Sequence, residues 1–195
     1  MNNYSNYKDV ELIPLLREKK PASDLAFHEI YGRYSKRLYM YCVYKLEDRS
    51  HIEDILQETW YIFDNSVKGG KSVKNILSFL IGIARNLINN YLKTENKRGE
   101  IFVSSEGLNF DTIKFTEDDG ILLEQKEQYD IVMNAIYHLD DNLREVLILK
   151  QAEGLSYEDI AKLTEESVST VQRHYGRAIE ELYKIFKPYI KEKIQ

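Results

Sequence analysis

The chain has 195 residues, 43% hydrophobic and 30% charged, with three prolines and a formal net charge of −5. That balance describes a packed, helix-rich protein. One cysteine, Cys42, excludes a disulfide framework and any multi-cysteine zinc site. No apolar run approaches the roughly 18 residues of a membrane span, and no signal-peptide pattern opens the chain, so a cytoplasmic protein is expected.

Residues 1–8 are polar and are expected to be disordered. Asp9 to Glu18 reads as a short helix, with Pro14 awkward inside it. Pro21 then breaks the chain, and Ser23 is expected to cap a long helix. Its apolar face carries Phe27, Ile30, Tyr31, Tyr34, Leu38, Tyr41 and Cys42, a spacing that marks core. Ser50 and Glu53 have the spacing of a capping box. The helix they open buries Ile52, Ile55, Leu56, Thr59 and Phe63. Its opposite face shows Asp54, Gln57, Glu58 and Tyr61, with Trp60 near the edge. Asp54 and Glu58 stand four residues apart and repel mildly. A metal site there lacks a histidine at ligand spacing, which leaves a solvated acidic face or a partner-binding one.

Asp64 to Ser72 reads as a loop around Gly69-Gly70, without the strand context of a nucleotide-binding loop. A helix from about Val73 to Lys97 buries Ile76, Leu80, Ile83, Leu87 and Tyr91. Asn86, Asn90, Lys93 and Lys97 fall at steps of four, three and four, hence on one face. Amides and amines so placed can contact base edges and phosphates, and a merely solvated basic face is the plainer alternative. Charge is unevenly distributed. Ser66 to Arg98 sets seven basic residues against Glu95, a net of +6, whereas residues 99–127 hold eight acids and two lysines, a net of −6. The latter stretch has no periodicity and reads as an acidic linker.

Helical pattern resumes near Glu124, with Tyr129, Val132, Met133, Ile136 and Leu139 apolar. Asp140 or Asp141 is placed to cap Leu143 to Gln151. Ser156 can cap the next short helix, with Asp159 in the reciprocal position, and Leu163 closes its apolar face. After Thr164, Glu165 and Glu166, Ser167 starts a second helix with Val171, Tyr175, Ala178, Leu182 and Phe186 at helical spacing. Ser169, Thr170, Gln172, Arg173 and Arg177 occupy its polar face, and Pro188 is expected to end or bend it. Two helices, a tight turn and a polar, basic second-helix start describe a helix-turn-helix, whose second helix enters the DNA major groove. An ordinary helical hairpin with a solvated face is the alternative. The fold expected is all-α: two small helical domains joined by an acidic linker, over 1–98, 99–127 and 128–195.

Ile52-Glu53-Asp54-Ile55-Leu56-Gln57-Glu58-Thr59-Trp60, followed by Phe79-Leu80-Ile81-Gly82-Ile83-Ala84-Arg85-Asn86-Leu87, resembles the second conserved region of bacterial RNA polymerase sigma factors. Leu139 to Leu182 resembles their fourth region. The extracytoplasmic-function (ECF) group keeps only these two regions, and the resemblance spans about residues 9–187. It implies that Asp54, Gln57, Glu58 and Trp60 dock on the beta-prime clamp helices of core RNA polymerase, with the beta flap as a second contact. It implies that the loop Asn65 to Lys74, with Asn86, Asn90, Lys93 and Lys97, opens and reads the −10 promoter element around a flipped base. It further implies that Ser169, Thr170, Gln172, Arg173 and Arg177 read the −35 element as duplex. No cofactor and no catalytic constellation is implied, catalysis belonging to the polymerase, and family precedent adds an anti-sigma factor as a further partner. The chain departs from the family pattern at Thr164, Glu165 and Glu166, where leucine, glycine and isoleucine are usual. It departs again at Asn90 (aspartate), Gln172 (lysine), and Glu180 and Glu181 (basic residues). Fewer basic residues imply weaker, less salt-dependent contact with the −35 element. A stand-alone helix-turn-helix regulator is the alternative, and a helical partner-sequestering module a third reading.

Overall fold

The structure, a computed structural model, describes residues 4–46, 48–98 and 131–192, with side chains over 4–46, 48–94 and 131–187. All regular structure among them is α-helical. The expected acidic linker at 99–127 lies outside the described residues, as do the side chain of Lys97 and the segment around Glu124. The chain divides into two compact units, Met1–Phe102 and Val103–Gln195.

The first unit holds α1 (Asp9–Leu15), α2 (Ala22–Lys45), α3 (Ile52–Lys68) and α4 (Ile76–Arg98). Helices α2, α3 and α4 pack against one another, and α1 lies on α2. Their apolar faces meet in one core of Leu12, Leu16, Ile30, Leu38, Tyr41, Phe63, Leu80 and Ile88, all fully buried. Cys42 is part of it, and burial pushes its thiol up to about 12. Pro14 sits inside α1 one residue before its end, where it cannot donate to the Val10 carbonyl, and the helix stops at Leu15.

Several helix starts differ from expectation. Residues 4–8 are ordered: Tyr4 is buried against Tyr7, and Arg33 donates to the carbonyls of Tyr4 and Ser5. Helix α2 starts at Ala22 after Pro21, which leaves Ser23 buried within the first turn instead of capping it. The expected box at Ser50 and Glu53 does not form. Asp48 captures Ser50 by accepting from both its amide and its hydroxyl, and those bonds hold the Asp48 carboxyl below its usual range. His51 is then the residue before the helix, and its ring lies tilted against that of Tyr91 with centroids 4.5 Å apart. Helix α4 begins at Ile76, not Val73, because Asn75 Oδ1 accepts the Ser78 amide at 3.0 Å. Tyr31 is 46% exposed and not core.

The second unit holds α5 (described over 131–137), α6 (Asp141–Gln151), α7 (Tyr157–Thr164) and α8 (Val168–Glu192). Helix α6 is buried continuously from Leu143 to Leu149 and packs on α7 and α8. Leu139, Leu143, Leu147 and Ala178 form one cluster, flanked by Ile136, Tyr175 and Leu182. Asp140 precedes α6 but makes no side-chain cap. Buried Arg144 acts there, donating to the carbonyls of Tyr137 (2.6 Å) and Leu139 (3.1 Å) with its guanidinium over the Tyr137 ring. These bonds satisfy acceptors where α5 ends. Helix α8 continues through Pro188 to Glu192.

Candidate polymerase and nucleic-acid surfaces

Helix α3 is amphipathic, so burying Ile52, Ile55, Thr59 and Phe63 turns Asp54, Gln57, Glu58 and Tyr61 outward. All four are exposed, Tyr61 to 65%. Trp60 is the exception among the residues assigned to this face. It lies on the flank of the apolar stripe and is only 7% exposed. Helix α2 covers it: Phe27 packs edge-on at 5.7 Å and Tyr31 at 5.0 Å, and Phe63 meets it edge-on at 5.9 Å. Trp60 thus sits at the edge of this face, as its spacing predicts, with its ring packed largely into the core. Beside it opens a cleft of about 560 Å³ lined in part by Phe27, Tyr31, Trp60, Tyr61 and Asp64.

Helix α4 brings Asn86, Asn90 and Lys93 together on one exposed face. The loop before it is shorter than expected, because α3 runs on through Asn65–Lys68 and ends at Gly69. Gly70 has φ +94°, and a Cβ there would meet nothing within 4 Å, so glycine is required by backbone conformation alone. The Lys71 amide then closes back on the Ser66 carbonyl at 3.0 Å. This bond and the positive φ before it form a Schellman closure. The Lys71 ammonium stands 4.8 Å from the centre of the Phe79 ring, and Lys74 is exposed.

In the second unit Ser156 Oγ accepts the Asp159 amide at 3.0 Å and donates to its carboxylate at 2.9 Å, which fixes the start of α7. Glu165 ends it in the left-handed region (φ 60°, ψ 33°), and the Glu166 amide closes on the Ala161 carbonyl. The departure from glycine at Glu165 has thus left the left-handed turn in place. Ser167 Oγ accepts the Thr170 amide at 3.1 Å and contacts the hydroxyls of Ser169 and Thr170 at 3.0 and 2.8 Å. Ser169, Gln172, Arg173 and Arg177 are exposed, whereas Thr170 is half-buried. Arg177 lies 3.8 Å from Glu181, a surface pair that competes weakly with phosphate. His174 Nδ1 lies 3.4 Å from Glu166 Oε2, which sets the turn beside the second helix and makes an ion pair only when the imidazole is protonated. Periodicity missed this link because it depends on how the turn folds back. Among the described residues no group of three or more His, Cys, Asp or Glu could hold a metal ion. No helix among them is long and apolar enough to cross a membrane.

Two helical units in one chain, the second with α7 and α8 arranged as a helix-turn-helix, have the architecture of a helical DNA-binding protein. The family model for Sigma-70 region 2 matches residues 30–98, and that for Sigma-70, region 4 matches residues 129–182. Among similar proteins, the ECF RNA polymerase sigma-E factor of Haemophilus influenzae is 27% identical over 170 residues, covering 84% of this chain and 88% of that protein. The RNA polymerase sigma-H factor of Pseudomonas aeruginosa is 27% identical over 172 residues, 86% of this chain and 89% of the other. The sigma factor RpoE of Bartonella quintana, solved in complex with the anti-sigma factor NepR, shares the fold. It has a TM-score of 0.67 at 21% identity, covering 83% of this chain and 96% of that one. The chain belongs to the sigma-70 family, in its extracytoplasmic-function group, and directs RNA polymerase in transcription initiation.

Proposed function

We propose that the exposed α3 face docks on core polymerase and that the α4 face and the preceding loop read the −10 element. In this reading α8 reads the −35 element. The carrying observation is that one unit turns Asp54, Gln57 and Glu58 outward on α3 and Asn86, Asn90 and Lys93 outward on α4. Two carboxylates with an amide between them offer acceptors to basic side chains of the beta-prime clamp helices. Trp60 supports that face from beneath, and the aromatic cleft beside it suits an apolar side chain of the same partner. On α4, amides offer paired donor and acceptor groups to base edges, and Lys93 neutralises phosphate. On α8, Ser169, Thr170, Gln172, Arg173 and Arg177 supply the −35 contacts, with Arg173 and Arg177 one turn apart. The domains correspond to residues 1–98 and 128–195, and the beta flap is assigned to the second. An anti-sigma factor is the further partner in this reading, supported by the complex in which the Bartonella relative was solved. RNA synthesis stays with the polymerase, in the cytoplasm.

The test is core binding by the Asp54→Ala/Glu58→Ala double variant. Its affinity for core polymerase is expected to fall about tenfold or more, with unchanged helicity and a few tenths of a kcal/mol gained from relieved i, i+4 repulsion. Wild-type affinity in a folded double variant would remove α3 from the polymerase interface.

A further inference from the structure

Between α3 and α4 runs a short loop, residues 69–75, anchored at both ends. At the far end Asn75 caps α4 through the Ser78 amide. At the near end the holding group comes from far away in sequence. Arg17, just after α1, donates from Nε to the Val67 carbonyl at 2.9 Å and from a terminal nitrogen to the Lys71 carbonyl at 3.0 Å. Val67 closes the last turn of α3, and Lys71 is the second residue after Gly69. One planar guanidinium therefore bridges the helix end and the loop, a two-point geometry that a lysine ammonium cannot reproduce with the same rigidity. A cation there also meets the negative end of the α3 dipole.

Arg17 has an exposed side chain on a fixed backbone. Its neighbour Leu16 is fully buried, and its own amide donates to the Pro14 carbonyl at 3.1 Å. It stands outside the residues matched to Sigma-70 region 2, which begin at residue 30. With Lys71 pinned on one side and Asn75 on the other, Ser72, Val73 and Lys74 are the span left to meet DNA. Ser72 and Lys74 are exposed.

We infer that Arg17 is a positioning residue for −10 recognition, holding the loop 69–75 in the shape that discriminates bases. The inference rests on the assignment of −10 reading to this loop. It assigns the short N-terminal helix a role in promoter specificity, exercised through the backbone without contact with DNA.

The test uses the full chain with core polymerase. In Arg17→Ala, amide hydrogen exchange over residues 69–75 is expected to speed about tenfold, the low end for loss of hydrogen bonds from a charged donor. The ratio of matched to mismatched −10 use in a promoter library should fall by a similar factor. Core affinity should stay within about twofold. Arg17→Lys, which reaches one carbonyl, should fall between. Unchanged exchange in Arg17→Ala overturns the inference whatever the loop does with DNA. Faster exchange with unchanged base preference also overturns it, and a parallel Ser72→Ala variant shows which part failed. If Ser72→Ala shifts preference, the loop reads bases and Arg17 does not position it. If neither variant shifts preference, −10 reading by this loop falls as well.

Discussion

Glu165→Gly should stabilise the second unit. The native residue sits at φ 60°, ψ 33°, where a side chain bearing a Cβ costs roughly 1–2 kcal/mol. Glycine removes that cost but brings more freedom to the unfolded chain, which takes back about 0.4–1 kcal/mol. The Glu165 carboxylate also sits at the C-terminal, negative end of α7, where it is disfavoured by about 0.3–1 kcal/mol. The side chain is exposed, so little packing is lost. The balance is a gain of about 1 kcal/mol, or roughly 4–8 °C in Tm for a domain of this size. Calorimetry of the full chain separates the two units. Trp60, the single tryptophan, reports the first unit by fluorescence and should not move. Glu165→Ala, which keeps the Cβ, should give only the small electrostatic part. A second-unit Tm that is unchanged or lowered in Glu165→Gly would refute the claim that strain is held at this turn.

The mirror experiment is Gly70→Ala, whose Cβ has open space, so a loss of about 1 kcal/mol in the first unit would come from backbone conformation alone. Arg173→Ala and Arg177→Ala should each weaken −35 use in holoenzyme. A lost base contact costs about 1–3 kcal/mol and relaxes sequence preference, whereas a lost phosphate contact weakens all promoters alike. Promoter competition distinguishes these outcomes, and an unaffected pair would mean the reading face of α8 is misassigned. Trp60→Ala should destabilise the first unit by about 3–5 kcal/mol, measured by denaturant unfolding. Trp60→Phe should retain most core affinity, because the ring acts from within. The Cys42 thiol, raised from 9.0 to about 12, favours the folded state fully below pH 9. That contribution is lost as pH rises from 9 towards 12. Thiol-reagent kinetics at pH 8 should therefore follow global unfolding, and a fast reaction of the native chain would contradict the burial of Cys42.

Apolar periodicity located α2, α3, α4 and α8, because each buries a face that a 3.6-residue repeat reveals, whereas α6 is buried all round from Leu143 to Leu149 and was marked by its apolar content. The acidic face of α3 and the amide face of α4 were legible for the same reason. Helix starts were less legible, since a capping residue has competitors. Ser50 looked like a cap until Asp48 claimed its hydroxyl, and Asn75 took the place assigned to Val73. The edge position of Trp60 was legible, but its depth of burial was not, because its cover comes from Phe27 and Tyr31 on another helix. Arg17 and the His174–Glu166 contact were invisible for a related reason: each depends on a turn bringing distant groups within 4 Å. At Glu165 the sequence departs from the usual glycine, yet the backbone keeps the left-handed turn because the Glu166–Ala161 closure holds it.

Promoter-directed initiation through both surfaces is tested most directly by run-off transcription with purified core polymerase. Genomic fragments are transcribed with core alone and with core plus the full chain. The chain should produce discrete transcripts from a few fragments that share two short sequence blocks upstream of their start sites. Those transcripts should disappear with the Asp54→Ala/Glu58→Ala variant. Tight, sequence-specific binding of the chain to duplex DNA without core, with no start-site-specific transcript when core is added, would contradict the claim and indicate a stand-alone regulator.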